Sequence, residues 1–214
     1  MYLPKIHEET RIEVLQQLIR SHPLGTLVVM GEDELVANHI PFLIDPDRGE
    51  FGTLMAHVSR ANSVWKLPAS HIPALVSFQG AQAYITPNWY PSKQETGKAV
   101  PTWDYAVVHA QGIPQYIHDR DWLLAHIEVL TQEHESTQAL PWRVQDAPAE
   151  FIDKLVSGIV GVEIPLQSLI GKWKTSQNRP EVDKQGIVAG LHTRGYQQDI
   201  AMAELVKLHI HSAE

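Results

Sequence analysis

The chain has 214 residues, which is long enough for one well-buried core or two small ones, and its 43% hydrophobic and 20% charged residues are typical of a globular protein. It contains no cysteine, which excludes disulfides, thiolate metal sites and a cysteine nucleophile. The 17 basic and 25 acidic residues give a formal net charge of −8, which disfavours direct binding to DNA phosphates.

The N-terminus carries charged residues from Lys5 to Glu13, so it has neither the apolar centre of a signal peptide nor a membrane span. No later stretch is long and apolar enough to cross a membrane. Together with the lack of cysteine, this predicts a cytoplasmic protein with no membrane partner. Ile12, Leu15 and Ile19 recur at helical spacing and predict an amphipathic helix over residues 8–22.

β-Type runs separated by turn signals predict strands over residues 26–30, 35–44, 51–58, 74–86, 100–118 and 159–166. Helical spacing predicts helical turns before Pro68 and helices over 119–135, 146–156 and around 202–206. Residues 87–99 are expected to form a loop and residues 171–180 a polar turn. The pattern predicts an α+β fold built on a small antiparallel barrel, as a single domain over residues 1–214 with a helical C-terminal extension from about residue 180.

Acidic residues are missing from one long part of the chain. Residues 51–94 contain no Asp or Glu, where the overall composition would place about five, yet they include Arg60 and Lys66. Residues 164–180 repeat the pattern with Lys174 and Arg179. A carboxylate near a bound phosphate costs Coulomb energy, so two acid-free segments with cations indicate an anion site.

Local geometry supports the same interpretation. The motif HVSRAN, residues 57–62, lies where a strand ends and a helical turn begins, so backbone N–H groups, the Ser59 hydroxyl and the Arg60 guanidinium are expected to converge on phosphate oxygens. In the second segment, Ser176 or Asn178 is expected to cap a helix that has Pro180 in its first turn. Caps beside arginines are also common without any ligand.

Aromatic residues surround the predicted 87–99 loop. Trp89, Tyr90 and Trp103 offer faces on which a planar conjugated ligand can stack, and Thr102 and Gln177 offer polar partners for its edge. Packing in the core or in an interface explains each aromatic residue equally well.

Several segments resemble the PaiB family of FMN-binding negative transcriptional regulators. They are MYLP (1–4), NHIPF (38–42), HVSRAN (57–62) with Trp65, YITPNWY (84–90), VPTWDY (100–105) and GKWKTSQNR (171–179). The set covers most of the chain in the same order. The resemblance implies an antiparallel split β-barrel of the FMN-binding type with flanking helices, and a homodimer that holds FMN at the subunit interface.

The resemblance also implies which residues bind the cofactor. Those matching the family motifs in the phosphate and ribityl regions are His57, Ser59, Arg60, Asn62, Lys174, Ser176, Gln177 and Asn178. Those expected around the ring are Trp89, Tyr90 and Trp103. The sequence departs from the usual family pattern at Ser59, Asp104 and Thr175, where alanine, asparagine and leucine are common. An Asp104 carboxylate near the flavin would disfavour the anionic reduced ring.

Other sites receive little support. His209 and His211 would share one face only in a strand, whereas this segment ends a predicted helix, so no metal is expected. His39 is a candidate haem ligand but is expected to be a hydrogen-bonded histidine of the barrel. No HExxH, Walker, GxGxxG or GxSxG motif occurs.

Three functions remain open from the sequence. The first is a negative transcriptional regulator that uses FMN as a structural or redox-sensing cofactor. The second is a flavin-dependent oxidoreductase, either an NAD(P)H:flavin reductase or an oxidase. The third is a haem-binding or haem-degrading split barrel. DNA binding is implied only by the resemblance, since the net charge disfavours it and no helix-turn-helix is recognisable. The sequence assigns no catalytic residue.

Overall fold

A computed structural model of the chain describes residues 1–67 and 72–210, so Pro68 and His211 lie outside the described residues. The chain divides into two compact units. Unit 1 comprises Met1–Leu15, Gln79–Val108 and Ile170–Glu214. Unit 2 comprises Gln16–Phe78 and His109–Leu169.

The secondary structure is mixed, with antiparallel strand pairing. The strands are β1 (Glu8–Glu9), β2 (Leu24–Met30), β3 (Leu35–Pro41), β4 (Leu43–Asp45), β5 (Thr53–Ser59), β6 (Ala74–Ile85), β7 (Thr102–Gly112), β8 (Gln115–Ile117) and β9 (Ile159–Lys174). The helices are α1 (Ile12–Ser21), α2 (Lys93–Thr96), α3 (Arg120–Glu135), α4 (Ala149–Ser157), α5 (Glu181–Arg194) and α6 (Gln197–Lys207). The sheet runs β3-β2-β6-β7-β9-β5-β4, and β1 and β8 also pair with β9. This architecture confirms the predicted α+β class.

Within unit 2, the strands alternate buried and more exposed residues as a half-buried sheet requires. In β2 the buried positions are Gly25, Leu27 and Val29. β2 pairs with β3 on one side and β6 on the other, so that Thr26 lies opposite both His39 and Ser77. The single strand predicted over residues 35–44 is interrupted after Pro41, which has no backbone N–H to extend the pairing.

The end of β9 differs from the sequence prediction. Residues 171–174 were expected in a polar turn, but β9 continues to Lys174. The reason is a partner from the other end of the chain: in unit 1, Glu8 pairs with Lys172 and Glu9 with Gly171. For the same reason the first helix starts at Ile12 rather than at residue 8, because Glu8 and Glu9 lie in a strand.

The predicted 87–99 loop is also more ordered than expected. Pro87–Trp89 forms a 3-10 turn, in which the Thr86 hydroxyl accepts a hydrogen bond from Asn88 N at 3.3 Å, and α2 follows at Lys93. Proline at the first position of a helical turn is favourable, and this signal was available in the sequence. The strand predicted over residues 100–118 is divided in two, because β7 ends at Gly112 and β8 begins at Gln115.

In unit 1, α5 and α6 pack on each other and on the turn Pro87–Trp89. Their shared core contains Ile187, Leu191, Met202 and Val206, all fully buried. α5 ends at Arg194, and the capping residue Gly195 has a φ of 73°, the left-handed conformation that glycine adopts without strain. Within residues 1–67 and 72–210, no helix is both long and apolar enough to cross a membrane.

Candidate functional site

The predicted site residues fall into two groups, one in each unit. In unit 1, the end of β9 brings Lys174 to the start of β7. Its ammonium group donates to Thr102 Oγ1 at 2.5 Å, to the Trp103 carbonyl at 2.6 Å and to Asp104 Oδ1 at 3.3 Å. An ammonium group has three protons, and these three acceptors account for all of them.

Asp104 lies at the centre of this group, with no exposed surface. Its second oxygen accepts a hydrogen bond from the Ser176 hydroxyl at 2.5 Å. Burial raises the pKa of the Asp104 carboxyl, while the Ser176 hydroxyl and the Lys174 ammonium partly offset that rise. Ser176 has a φ of 58°, the left-handed conformation that a side chain disfavours, so this hydrogen bond holds a strained turn in place.

Gln177 fixes the same turn. Its Oε1 accepts from Thr175 N at 2.9 Å and lies 3.2 Å from His7 Nδ1, and its amide nitrogen donates to the Trp173 carbonyl. A small polar cavity of about 80 Å³ opens beside this turn. Its lining residues are His7, Thr102, Asp104, Lys174, Ser176, Asn178 and Arg179. We call these residues the Lys174 cluster.

The prediction that Ser176 or Asn178 caps a helix is wrong. α5 begins at Glu181 with Pro180 as its N-cap, and no side chain accepts a hydrogen bond there. Ser176 is turned instead toward Asp104. Counting acids along the chain also missed Asp104, because it lies outside both acid-free segments and reaches Lys174 only through the pairing of strands.

The three predicted ring aromatics have different surroundings in unit 1. Trp89 packs against α5, with the Arg194 guanidinium 4.9 Å from its ring. Tyr90 is 2% exposed and lies under the guanidinium of Arg179, at 4.6 Å. Trp103 is 51% exposed, and its indole N–H donates to Gln82 Oε1 at 3.2 Å. Of the three, Trp103 alone is exposed and so offers a surface for stacking.

The second group lies in unit 2 at the end of β5, where the predicted change from strand to helical turn is confirmed. Asn62 caps the 3-10 turn Ser63–Lys66 through a hydrogen bond from Val64 N, at 2.9 Å, and its amide donates to Asn38 Oδ1 at 2.7 Å. Ser59 Oγ accepts from Ala61 N at 3.2 Å. We call Ser59, Arg60 and Asn62 the Arg60 turn.

The Arg60 guanidinium is held by the backbone that leads into β9. Its Nε donates to the Ser157 carbonyl at 2.8 Å and its Nη2 to the Ile159 carbonyl at 2.9 Å. A third nitrogen, Nη1, lies 3.5 Å from His118 Nδ1. The charged group is thus fixed beside the strand end, and the exposed Ser59 is its chain neighbour.

Nothing in the sequence indicated the partner of His57. In unit 2, His57 Nδ1 lies 3.2 Å from Nε2 of His126, whose ring stacks on Trp122 with an interplanar angle of 12°. Burial lowers the pKa of both imidazoles, that of His126 to about 4. His126 and Trp122 are four residues apart on α3, which predicts a shared helix face but not what that face meets.

The histidines considered for haem or metal lie elsewhere. His39 is exposed on the edge strand β3 and not buried in a barrel wall. His209 lies near Thr175 Oγ1, at 2.9 Å, while His211 is outside the described residues. Within the described ranges, no group of three His, Asp or Glu side chains has the spacing to hold a metal ion.

Two solved structures of flavin-binding proteins have a similar fold. The FAD- and haem-binding protein of Mycobacterium smegmatis matches with a TM-score of 0.57 at 18% identity, over 78% of this chain and 73% of that one. The flavocytochrome Anf3 of Azotobacter vinelandii matches with a TM-score of 0.58 at 11% identity, over 78% and 68%. At such identities the likeness concerns the fold alone, which is the antiparallel split β-barrel of flavin-binding proteins.

The family is shown by sequence. Residues 1–168 match the family described as "Putative FMN-binding domain", and the chain belongs to that family. It is 33% identical to an uncharacterised protein of Emericella nidulans, over 97% of this chain and 96% of the relative. It is 26% identical to "Protease synthase and sporulation protein PAI 2" of Bacillus subtilis, over 97% of each. The resemblance to the PaiB family is therefore confirmed.

Proposed function

We propose that this protein binds FMN in a homodimer, with FMN at the subunit interface, and acts as a negative transcriptional regulator. The observation that carries the proposal is the Arg60 turn, a fixed guanidinium beside an exposed hydroxyl in a member of an FMN-binding family. Bound FMN would supply a redox-active ring whose state the protein can report.

The Arg60 turn fits the phosphate group. Two guanidinium nitrogens donate to the carbonyls of Ser157 and Ile159, so the cation is oriented before any ligand arrives. The Ser59 oxygen accepts a bond from Ala61 N, which leaves the hydroxyl proton to donate to a phosphate oxygen. Charge-assisted bonds of this kind suit a dianion.

The Lys174 cluster suits a less charged part of the cofactor. The Lys174 protons are all directed to acceptors of the chain, and its charge is balanced by Asp104. We therefore assign Lys174 a positioning role: it holds the turn that carries Ser176 and Asn178 beside the 80 Å³ cavity. These polar groups and the exposed face of Trp103 match ribityl hydroxyls and a flavin ring. The predicted contacts of His57, Trp89, Tyr90 and Gln177 stay predictions.

Replacing Arg60 with alanine is expected to weaken FMN binding about tenfold more than riboflavin binding, because only FMN loses a charge-assisted phosphate contact of roughly 1.5 kcal/mol. Fluorescence quenching titrations of both ligands against the purified variant measure this ratio. Since the two ligands share their ring and ribityl chain, the ratio is insensitive to a general loss of fold.

Arg120→Ala is the matched control, because Arg120 is a cation of the same unit that pairs with Asp153 at the protein surface. It should leave the ratio of FMN to riboflavin affinity unchanged. Equal losses for the two ligands in Arg60→Ala would remove Arg60 as a phosphate contact.

The regulatory role rests on the PaiB resemblance. Because the net charge is −8, a PaiB-like dimer would contact DNA through a local basic surface or through a partner protein. The same charge favours a second candidate, a flavin oxidoreductase that never meets DNA. A regulator should bind DNA from upstream of its own coding sequence with nanomolar affinity at physiological salt, and its flavin should stay yellow with NADH or NADPH under anaerobic conditions. Bleaching of the flavin within minutes, without sequence-dependent DNA binding, would favour the oxidoreductase.

A further inference from the structure

Arg179 is a half-buried cation that lines the polar cavity of the Lys174 cluster in unit 1. It lies in the short connection between the end of β9 at Lys174 and the start of α5 at Glu181. Its backbone N–H donates to the Ser176 carbonyl at 3.0 Å, and its guanidinium carbon lies 4.6 Å from the centroid of the Tyr90 ring. Backbone and side chain are thus both held, and the cation has a fixed place beside the cavity.

The charges around this cavity do not cancel. Asp104 is the one carboxylate among the described residues that line it, and that carboxylate faces the Lys174 ammonium at 3.3 Å. Arg179 forms no ion pair within residues 1–67 and 72–210. With the His7 ring uncharged, the lining therefore keeps one positive charge, and Arg179 carries it.

Stacking on Tyr90 orients the Arg179 guanidinium without neutralising it. Burial raises the pKa of the Tyr90 phenol, so the ring stays uncharged and offers the cation the face of its π system. Arg194 is the contrasting case in the same unit. It lies 4.9 Å from the Trp89 ring, but its guanidinium also donates to both oxygens of Asp199, at 2.5 and 2.7 Å. Of these two stacked arginines, Arg179 alone has a charge left for a ligand.

Reduction changes the charge of a flavin ring. The oxidised ring is neutral, and uptake of two electrons and one proton leaves it with one negative charge, shared between ring nitrogen N1 and the adjacent carbonyl oxygen. N1 and the nitrogen that carries the ribityl chain are bonded to the same ring carbon. A cavity that holds ribityl hydroxyls through Ser176 and Asn178 is therefore close to the place where this charge develops.

We propose that Arg179 is the residue that makes this protein bind anionic reduced FMN more tightly than oxidised FMN. This role rests on the proposed FMN binding. A guanidinium with an uncompensated charge donates charge-assisted hydrogen bonds to the anionic edge of the reduced ring, and it gains less from the neutral oxidised ring. Because tighter binding of one redox state shifts the redox equilibrium by the same factor, Arg179 also raises the midpoint potential of the bound cofactor.

Titrations of the full-length protein with oxidised FMN, and with FMN kept reduced by dithionite without oxygen, measure this preference at about pH 8, where histidine side chains are ordinarily neutral. Arg179→Gln removes the charge and should lower the ratio of reduced to oxidised affinity about tenfold, which lowers the two-electron midpoint potential by about 30 mV. Arg179→Lys keeps the charge and should retain most of the preference.

Lys207→Gln is the matched control, because it removes one positive charge of unit 1 from an exposed position of α6, where Lys207 pairs with Glu204 at 2.6 Å. It should leave the ratio of the two affinities unchanged. The phosphate group is the same in both redox states, so equal losses for oxidised and reduced FMN in Arg179→Gln would make Arg179 a phosphate contact and overturn its proposed role. Loss of the preference in Lys207→Gln would show a general charge effect and would overturn it too.

The wild type separates this role from FMN binding itself. Failure to bind FMN in either redox state would overturn the proposed function and the role of Arg179 with it. Equal affinity for the two states, or normal binding with an unchanged ratio in Arg179→Gln, would overturn the role of Arg179 alone.

Discussion

Acidification from about pH 7.5 to about pH 4 is expected to remove about 3 kcal/mol of unfolding free energy through His126 alone. Burial holds the pKa of this imidazole at about 4 in the folded protein, against an ordinary value of 6.5. The unfolded chain therefore takes up the proton first as pH falls. The stabilisation is complete above the unfolded-state pKa and is lost as pH falls toward the folded-state pKa.

His126→Phe isolates this contribution, because phenylalanine keeps a ring stacked on Trp122 but cannot take up a proton. Urea unfolding at the two pH values should show the variant losing about 3 kcal/mol less than the wild type. Each protein is compared with itself, so a constant cost of leaving His57 unpaired cancels. His134→Phe, at an exposed position of the same helix, should keep the wild-type dependence; equal pH slopes in wild type and His126→Phe would contradict the prediction.

Gly186→Ala is expected to lower the free energy of unfolding by about 3 kcal/mol, although alanine is the better helix former by about 1 kcal/mol. A Cβ at position 186 of α5 would lie 2.0 Å from the carbonyl oxygen of Trp89, which is backbone and has little room to move. At Gly190 the corresponding contact, 2.2 Å, is with the Trp89 ring. The two glycines thus let the turn Pro87–Trp89 approach the helix axis.

Urea denaturation of Gly186→Ala measures this effect, and Ala189→Gly calibrates helix propensity, because Ala189 is exposed on the same helix. The calibration variant should lose about 1 kcal/mol. A gain of stability in Gly186→Ala would mean that the close approach of turn and helix is wrong.

Features with local causes were predictable from the sequence. The start of α3 follows from Asp119, whose side chain accepts from Trp122 N at 2.8 Å. The change from strand to helical turn at Ser59 and the cap at Asn62 likewise depend on neighbouring residues. In each case the interacting groups are within a few positions in the chain, where residue spacing carries the information.

Features that depend on distant residues were missed. The predicted turn at residues 171–174 is strand, since Glu8 and Glu9 pair with it. Lys174 lies in an acid-free segment of the sequence, but its partner Asp104 is 70 positions away in the chain. The contact of His126 with His57 depends on the packing of α3 against β5, which the sequence does not show. Residue spacing cannot show which strand edges and helix faces meet across such separations.

Strand β9 also constrains the order in which the protein can fold during synthesis. It pairs with Glu8–Glu9 in unit 1, and with Thr53–Ser59 and Gln115–Ile117 in unit 2. The pairing of these three segments with β9 can be completed only after Lys174, the last residue of β9, has left the ribosome. Such long-range pairing is slow. Until it is complete, the unpaired strand edges can pair with other nascent chains and aggregate. Expression at reduced temperature or with a chaperone should therefore raise the soluble yield more than any change in buffer.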